Sequence, residues 1–316
     1  MGSCYLAWVS GIHTSGRPKK PGLAAIALAH IMFHTVADVL VGDKLSPLRP
    51  GYKHTHLCKL RHELTSPFLY FNSQLSIFNF PVYRQFSRTA MLLGEEAMER
   101  LHACRVAVFG IGGVGGYAVE ALARSGIGSL DLIDADDVDL TNLNRQIIAL
   151  HSTVGKAKVD VAAERVHDIF PDCRVKVYKQ FYLPENAGAI DLSQYDYVLD
   201  CIDTVAAKVE LVRRCHALGV PLISCMGAAN KLDPMAFRVT DISKTQTDPL
   251  ARVIRKKLRE LGIPHLKCVW STEQPIKPLN QDMSEPIRSV PASVAFVPPA
   301  AGLLAAATVV RDLTGK

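Results

Sequence analysis

A short apolar run that ends in clustered glycines limits the folds open to this chain more than any other feature. Residues 105–109 have the composition of a buried parallel strand, and Gly110, Gly112, Gly113 and Gly115 follow before helical periodicity begins. Glycines let the backbone approach a phosphate, and the N-terminus of the next helix favours an anion. The order strand, glycine turn, helix predicts a Rossmann-like α/β fold with a doubly wound, mostly parallel sheet and a nucleotide site.

A carboxylate at the end of the next strand suits the ribose of such a nucleotide. The run 129–133 is a second predicted strand, and it delivers Asp134 about 20 residues beyond the glycines. A carboxylate at this place can accept hydrogen bonds from ribose hydroxyls. NAD-dependent oxidoreductases share this arrangement, so a nicotinamide or flavin cofactor stays open at this point.

Periodic segments predict the remaining elements of the domain. An arm at 85–94 and a helix at 95–104 precede the first strand. Further helices are predicted at 155–170, 204–218 and 248–261, and further strands at 174–178, 195–200, 221–225 and 237–242. Residues 292–310 are apolar, but their prolines and alanines indicate a turn and a buried closing helix, and no membrane span.

Polar residues after the second strand make the nucleotide site more specific. Asn142, Asn144 and Arg145 lie in the segment TNLNRQ, and Lys158 follows in the segment GKAK. Together with the glycine loop, these residues resemble the adenylating enzymes related to ubiquitin-activating enzyme, which use ATP to convert a carboxylate into an acyl-adenylate. The resemblance implies ATP and Mg²⁺ as cofactors and allows a monovalent cation.

The resemblance also assigns roles to four residues. Arg145 and Lys158 are expected to contact the phosphates, and Asp203 is expected to hold Mg²⁺. Arg88 is expected to reach the ATP of a partner subunit across a two-fold axis, which implies a homodimer. A lysine near a helix N-terminus opposes the helix dipole, so a bound phosphate would compensate Lys158. The alternatives are a surface role for Arg88 and Lys158, and a helix cap for Asp203.

Two later motifs narrow the resemblance to the tRNA threonylcarbamoyladenosine dehydratases. They are DxxKTxxDPL, which begins at Asp241, and CVWSTE, which begins at Cys268, and the resemblance extends over residues 85–313. It implies adenylation of the threonyl carboxylate on a modified adenosine in tRNA, followed by ring closure that releases AMP. Cys268 could form a thioester as in ubiquitin activation, or it could be a buried structural thiol.

Other functions stay open from the sequence. One is adenylation of a ubiquitin-like sulfur carrier, with a sulfur-acceptor protein as partner. Enzymes of that kind commonly carry two C-x-x-C pairs for zinc, and the eight cysteines of this chain include none, so no zinc is expected. A binding protein that retains the fold without catalysis is a further alternative, although the basic and acidic site residues weigh against it.

A basic helix is the predicted RNA contact. The segment 248–261 has one apolar face, and its other face carries five cations, namely Arg252, Arg255, Lys256, Lys257 and Arg259. Such a face suits the phosphates of RNA, and it equally suits simple solvation.

The first 82 residues differ in character from the rest. They hold 8 Lys/Arg against 3 Asp/Glu, which leaves 28 and 27 for residues 83–316, so the formal charge of +6 lies mainly in the extension. The apolar run 22–41 has the order of a targeting signal, but His30, His34 and Asp38 interrupt it. We expect a poorly structured extension before an adenylating domain at 83–316. ATP use and the cysteine pattern favour a cytoplasmic protein without a membrane partner.

Overall fold

The computed structural model describes residues 84–279 and 291–316. These residues form a seven-stranded sheet with helices around it. Its strands are β1 Arg105–Phe109, β2 Ser129–Ile133, β3 Arg174–Tyr178, β4 Tyr197–Asp200, β5 Leu222–Cys225, β6 Phe237–Asp241 and β7 Lys267–Ser271. Their order is β3-β2-β1-β4-β5-β7-β6, and every neighbouring pair is parallel except β6 with β7. The predicted α/β fold with a mostly parallel sheet is confirmed.

Helices cover both faces of this sheet. They are α1 Ser87–Leu93, α2 Glu95–Ala103, α3 Gly115–Arg124, α4 Lys158–Ile169, α5 Val205–Leu218, α6 Pro249–Glu260 and α7 Val297–Thr314. Side chains of β1 alternate between two cores, as the period of a strand requires. Val106 and Val108 pack with α3 and α7, whereas Ala107 and Phe109 pack with α5.

The strand order predicts a ligand crevice at the carboxyl end of β1. Strand β1 lies between β2 and β4, and the helices that follow β1 and β4 lie on opposite faces. Open α/β sheets bind ligands where the strand order reverses in this way. The glycine loop after β1, Asp134 after β2 and Asp203 after β4 therefore lie along one edge of the sheet.

Several element boundaries differ from the sequence predictions. The predicted arm at 85–94 is helical through Leu93, and Gly94, with φ +90°, separates α1 from α2. The helix predicted at 155–170 begins at Lys158, because the residues before it pair with the loop after β2, where the Val138 amide donates to the Lys156 carbonyl at 2.8 Å. Strand β7 was not predicted, because the CVWSTE segment was interpreted only as a family motif.

The closing helix of the domain is confirmed and includes the prolines that were expected to form a turn. Pro298 and Pro299 lie in the first turn of α7, where a missing amide proton costs no helical hydrogen bond. Gly302 of this helix packs so closely on α3 that an added Cβ would lie 2.2 Å from the Val114 carbonyl oxygen. Within residues 84–279 and 291–316, no helix is long and apolar enough to cross a membrane. The predictions for residues 1–82 lie outside the described residues.

Candidate active site

The first and last glycines of the loop after β1 are required by packing inside the protein. Gly110 has φ +89°, and a Cβ there would lie 2.7 Å from the Cys201 carbonyl oxygen. A Cβ on Gly115 would lie 1.8 Å from the Gly110 carbonyl oxygen. At Gly112 the nearest atom to an added Cβ is Gln146 Nε2, at 3.9 Å. The middle of the loop therefore retains space for a phosphate.

Arg145 lies over this loop. A Cβ on Gly113 would lie 3.4 Å from Arg145 Cγ, so the arginine stem covers the loop. Its guanidinium donates to the Asn144 side-chain oxygen at 2.9 Å and to the Thr141 carbonyl at 3.1 Å. The Asn144 amide nitrogen donates in turn to the Ser293 carbonyl at 3.1 Å. Asn144 therefore orients Arg145 and ties the TNLNRQ segment to the chain before α7.

Asn142 is buried and shapes the same segment. Its side-chain oxygen accepts a hydrogen bond from the Asp139 amide at 3.1 Å, and the Asp139 side chain accepts from the Thr141 amide at 2.8 Å. These bonds form a capping box around a 3₁₀ turn at 140–142. The sequence predicted a nucleotide contact for Asn142, and in this structure its amide oxygen is used to hold the turn that precedes Arg145.

Asp134 links the ends of β2 and β1. Its carboxylate accepts from the Ile111 amide at 2.6 Å and from the Asp136 amide at 2.9 Å. Burial raises the pKa of Asp134 above its ordinary value, although these amides and the charge of Lys158 act in the opposite direction. A half-buried carboxylate beside the glycine loop fits the predicted ribose contact.

Lys158 was predicted near the N-terminal end of its helix and is in fact the first residue of α4, and its side chain is buried. Its ammonium lies 2.7 Å from Asp136 Oδ2, and the lysine side chain is 7% exposed against 55% for the aspartate. The surface alternative for Lys158 is therefore wrong. The partner carboxylate of Asp136 is open to solvent, whereas the Lys158 side chain is not.

Asp203 lies three residues beyond β4 and is exposed at the crevice. Thr204 occupies the N-cap position of α5, and its side chain makes no capping hydrogen bond. The Asp203 carboxylate accepts from the Thr204 hydroxyl at 3.4 Å, which is a weak contact. The carboxylate is therefore accessible from the crevice.

Arg88 lies at the other end of the sheet from the glycine loop of its own chain. Arg88 is exposed on α1. Phe86, two residues earlier, lies 3.5 Å from where a Cβ on Gly126 would be, and Gly126 belongs to the turn that leads into β2. Phe86 also packs edge-on against Phe170, just before β3. The predicted contact of Arg88 with ATP therefore requires a second copy of the chain.

The five cations of α6 are not equivalent. Arg255 is half-buried, and its guanidinium donates to the Thr245 carbonyl at 2.8 Å and to the Ile242 carbonyl at 3.3 Å. It therefore holds the loop that contains the DxxKT motif. The exposed members of the basic face are Arg252, Lys256, Lys257 and Arg259. An RNA contact was predicted for Arg255 as for its neighbours, because periodicity does not reveal which cation meets backbone carbonyls.

The CVWSTE motif, residues 268–273, forms structural contacts. The Glu273 carboxylate accepts from the backbone amides of Leu232 at 2.9 Å and Asp233 at 2.9 Å. Cys268 is buried in β7, and burial raises the pKa of its thiol to about 12. A buried thiol with so high a pKa is protonated near neutrality and is unsuited to thioester formation.

A buried ion pair joins α6 to the turn after β5. Asp248 caps α6 by accepting from the Ala251 amide at 3.0 Å, and its other carboxylate oxygen lies 3.4 Å from the Lys231 ammonium. Lys231 also donates to the Gly227 carbonyl in the turn after β5. Sequence analysis missed Lys231, and it also missed a second buried pair, Asp200 with Lys208, at 2.9 Å. For Lys208 a signal was available, because this lysine occupies an apolar position of the predicted helix 204–218.

The profile of the ThiF family matches residues 86–316. This chain belongs to the ThiF family. Its relatives in that family include the tRNA threonylcarbamoyladenosine dehydratase of Bacillus subtilis, which is 46% identical over 240 residues that cover 72% of this chain and 94% of the relative. The protein of the same name from Escherichia coli is 43% identical over 62% of this chain and 76% of the relative. The family predicted from the motifs is confirmed.

Solved structures within the ThiF family agree with this assignment. The E. coli dehydratase TcdA in complex with AMP has a TM-score of 0.69 and 38% identity, and the match covers 74% of this chain and 95% of that chain. The same protein in complex with ATP has a TM-score of 0.66 and 37% identity over the same shares.

Proposed function

We propose that this ThiF-family chain is an ATP-dependent tRNA threonylcarbamoyladenosine dehydratase. The observation that carries the proposal is the convergence of the glycine loop, Asp134, Arg145, Lys158 and Asp203 on the carboxyl ends of β1, β2 and β4. The match covers 94% of the Bacillus subtilis relative of this name and 95% of the E. coli structure in complex with AMP.

The reaction begins with attack of the threonyl carboxylate on the α-phosphorus of ATP. The bond to pyrophosphate breaks, and an acyl-adenylate forms. The carbamoyl group of the same substrate then attacks the acyl carbon, so that AMP leaves and a ring closes. Both nucleophiles belong to the substrate, which agrees with a buried and protonated Cys268.

Cations must offset the repulsion between the carboxylate and the phosphates. Arg145 lies over the glycine loop, and Lys158 can exchange Asp136 for a phosphate oxygen. Preorganised charges of this kind act on the transition state and cost little reorganisation. Asp134 is placed to hold the ribose, and it also fixes the loop through the Ile111 amide.

The residues present fit a magnesium ion bound together with ATP. Mg²⁺ is usually held by one or two carboxylates, with substrate phosphates and water completing its shell. Asp203 supplies an exposed carboxylate at the crevice. When bound, Mg²⁺ would neutralise phosphate charge. The family resemblance also leaves room for a monovalent cation.

We further propose a homodimer in which Arg88 of each subunit serves the ATP site of the other. The packing of Phe86, two residues before Arg88, against Phe170 and beside Gly126 at the amino end of the sheet supports this arrangement. The tRNA is expected to lie along α6, on its exposed cations. ATP and tRNA both occur in the cytoplasm, and we propose that the enzyme works there.

Sulfur-carrier adenylation is the weaker alternative. The adenylyltransferase and sulfurtransferase uba4 of Aspergillus niger is 35% identical to this chain, but the match covers 45% of this chain and 30% of that relative. We propose that any sulfur-acceptor protein is secondary to the tRNA substrate.

Mass spectrometry of tRNA nucleosides tests the proposal directly. The purified protein, ATP and Mg²⁺ are incubated with tRNA that carries threonylcarbamoyladenosine, and the nucleosides are then analysed. We expect loss of one water mass from the modified nucleoside, together with AMP and pyrophosphate. Unchanged nucleosides in the presence of bound ATP would contradict the proposal, and a test of sulfur-carrier adenylation would follow.

A further inference from the structure

A fully buried ion pair lies beneath the loop that carries Asp203. Lys208 Nζ lies 2.9 Å from Asp200 Oδ2, and both side chains are 0% exposed. The same ammonium donates to Ser224 Oγ at 3.2 Å, and the Ser224 hydroxyl donates to Asp200 Oδ2 at 2.5 Å. Buried ion pairs are commonly no more stabilising than apolar residues of the same size. A gain in stability therefore does not account for two buried charges at this position.

The second oxygen of Asp200 points to another role. Asp200 Oδ1 accepts a hydrogen bond from the Ile202 amide at 3.1 Å, and Ile202 directly precedes Asp203. One oxygen of the carboxylate is thus held by Lys208 and Ser224, and the other holds the backbone of the loop after β4. The Asp200 carboxylate therefore connects the carboxyl ends of β4 and β5 to the loop that carries Asp203.

The glycine loop supports the same short segment from its other side. The Cys201 amide donates to the Phe109 carbonyl at 2.8 Å, and the Cys201 carbonyl oxygen lies 2.7 Å from the place where a Cβ on Gly110 would be. Residues 201–202 are therefore fixed both by Asp200 and by the start of the glycine loop. A shift of Asp200 would move Asp203 relative to that loop.

We infer that Asp200 and Lys208 are positioning residues for the binding of Mg²⁺ with ATP. Lys208 compensates the charge of Asp200, and Asp200 fixes the Ile202 amide, so that the Asp203 carboxylate is held where phosphate and metal meet. The inference rests on the proposed function, in which Asp203 is the metal ligand. Outer groups that orient a metal ligand commonly affect metal affinity strongly.

The test measures binding of radiolabelled ATP by the full chain over a series of Mg²⁺ concentrations. Three variants are compared with the unchanged protein: Ser224→Ala, Asp200→Asn, and the double variant Asp200→Asn with Lys208→Met, which removes both charges together. For the double variant we expect the half-saturating Mg²⁺ concentration to rise about 10- to 100-fold. For Ser224→Ala, which retains both charges, we expect a rise of about threefold in the same direction.

A matched control uses the charge pair at the opposite end of the sheet. Asp131 is 2% exposed in its side chain and lies 2.8 Å from Arg105, and Tyr195 donates to it at 2.9 Å. Asp131→Asn should lower the melting temperature and leave the half-saturating Mg²⁺ concentration unchanged. This control separates general loss of stability from loss of metal positioning.

Two results would overturn the inference. One is a folded Asp200→Asn or double variant whose half-saturating Mg²⁺ concentration equals that of the unchanged protein. The other is an unchanged value for Ser224→Ala, which retains the ion pair and is the informative variant if the others do not fold. The measured quantity is ATP binding, so this test can be interpreted even if the protein does not modify tRNA. Failure of tRNA modification would count against the proposed function alone.

Discussion

The Asp134 carboxylate accepts a hydrogen bond from the Ile111 amide at 2.6 Å, so the end of β2 fixes the loop that follows β1. The residue assigned to the ribose therefore also shapes the phosphate loop. A substitution at Asp134 would affect both parts of the nucleotide site, whereas Arg145 and Asp203 can be tested with less disturbance of the loop.

Arg145→Ala and Asp203→Ala should abolish turnover and leave the fold largely intact. Both residues lie at the crevice, and loss of a preorganised transition-state contact costs about 3 to 4 kcal/mol. The measurement is the rate of AMP formation with modified tRNA, accompanied by thermal melting. Arg100→Ala serves as the control, because Arg100 pairs with Glu96 on the surface of α2. Near-normal turnover by either site variant would remove adenylation as we state it.

The exposed cations of α6 should determine tRNA affinity without affecting ATP. Replacing Arg252, Lys256 and Arg259 with Glu should weaken tRNA binding strongly, because phosphate contacts release counterions. Affinity of the unchanged protein should fall as salt rises, and ATP binding should persist in the variant. Arg255→Glu, tested alone, should instead lower the melting temperature, since Arg255 holds backbone carbonyls. Normal tRNA binding by the triple variant would show that the RNA docks elsewhere.

Cys268→Ala should retain adenylation. Burial raises the pKa of this thiol to about 12, so its thiolate is scarce near neutrality. The small cavity should cost about 1 kcal/mol of unfolding free energy. The rate of AMP formation and a search for a thiol-sensitive adduct by mass spectrometry test this expectation. Loss of activity by a folded Cys268→Ala protein would revive the thioester alternative.

Glu120 gives the stability of the domain a pH dependence. Burial alone would raise the pKa of Glu120, but hydrogen bonds from Arg165 and Arg124 lower it below its ordinary value. A group with a lowered folded-state pKa stabilises the fold above its unfolded pKa, and this stabilisation is lost as pH falls through the folded value. Glu120→Gln should therefore reduce the unfolding free energy by about 1 kcal/mol at pH 7. Denaturant titration should show this difference disappearing in acid; a constant difference would contradict the assignment.

A shortened chain that begins at Pro81 should remain dimeric and active. The proposed domain at 83–316 contains all the site residues named above, and the ThiF-family match begins at residue 86. Gel filtration and the nucleoside assay provide the measurements. If the shortened chain fails to fold, residues within 1–80 contribute to the domain and our boundary is wrong.

The sequence predicted those parts of the site that depend on local order. Strand and glycine loop are contiguous in the sequence, so their order alone predicts the nucleotide loop, whereas Arg145, about 30 residues further on, was assigned to the site through the family resemblance. The position of Lys158 at a helix start was also visible, although the true start required the pairing of residues 155–157 with the loop after β2.

Long-range contacts explain what the sequence could not provide. Arg255 looks like its neighbours until the carbonyls of residues 242 and 245 are placed beside it. Ser224 joins the Asp200–Lys208 pair only because β4 and β5 are adjacent, and adjacency is a property of the sheet. The antiparallel β6–β7 pair does not follow from the sequence predictions, because no strand was predicted for the CVWSTE segment.

The pairing of Asp248 with Lys231 has a consequence for how this protein can change in evolution. The carboxylate that begins the basic helix also holds the lysine that secures the turn after β5. In a chimaera in which α6 and residue 231 come from different relatives, one charge of this pair could be buried without its partner. Such a charge would be uncompensated. We therefore expect α6 and the turn after β5 to be exchangeable between relatives only as one unit.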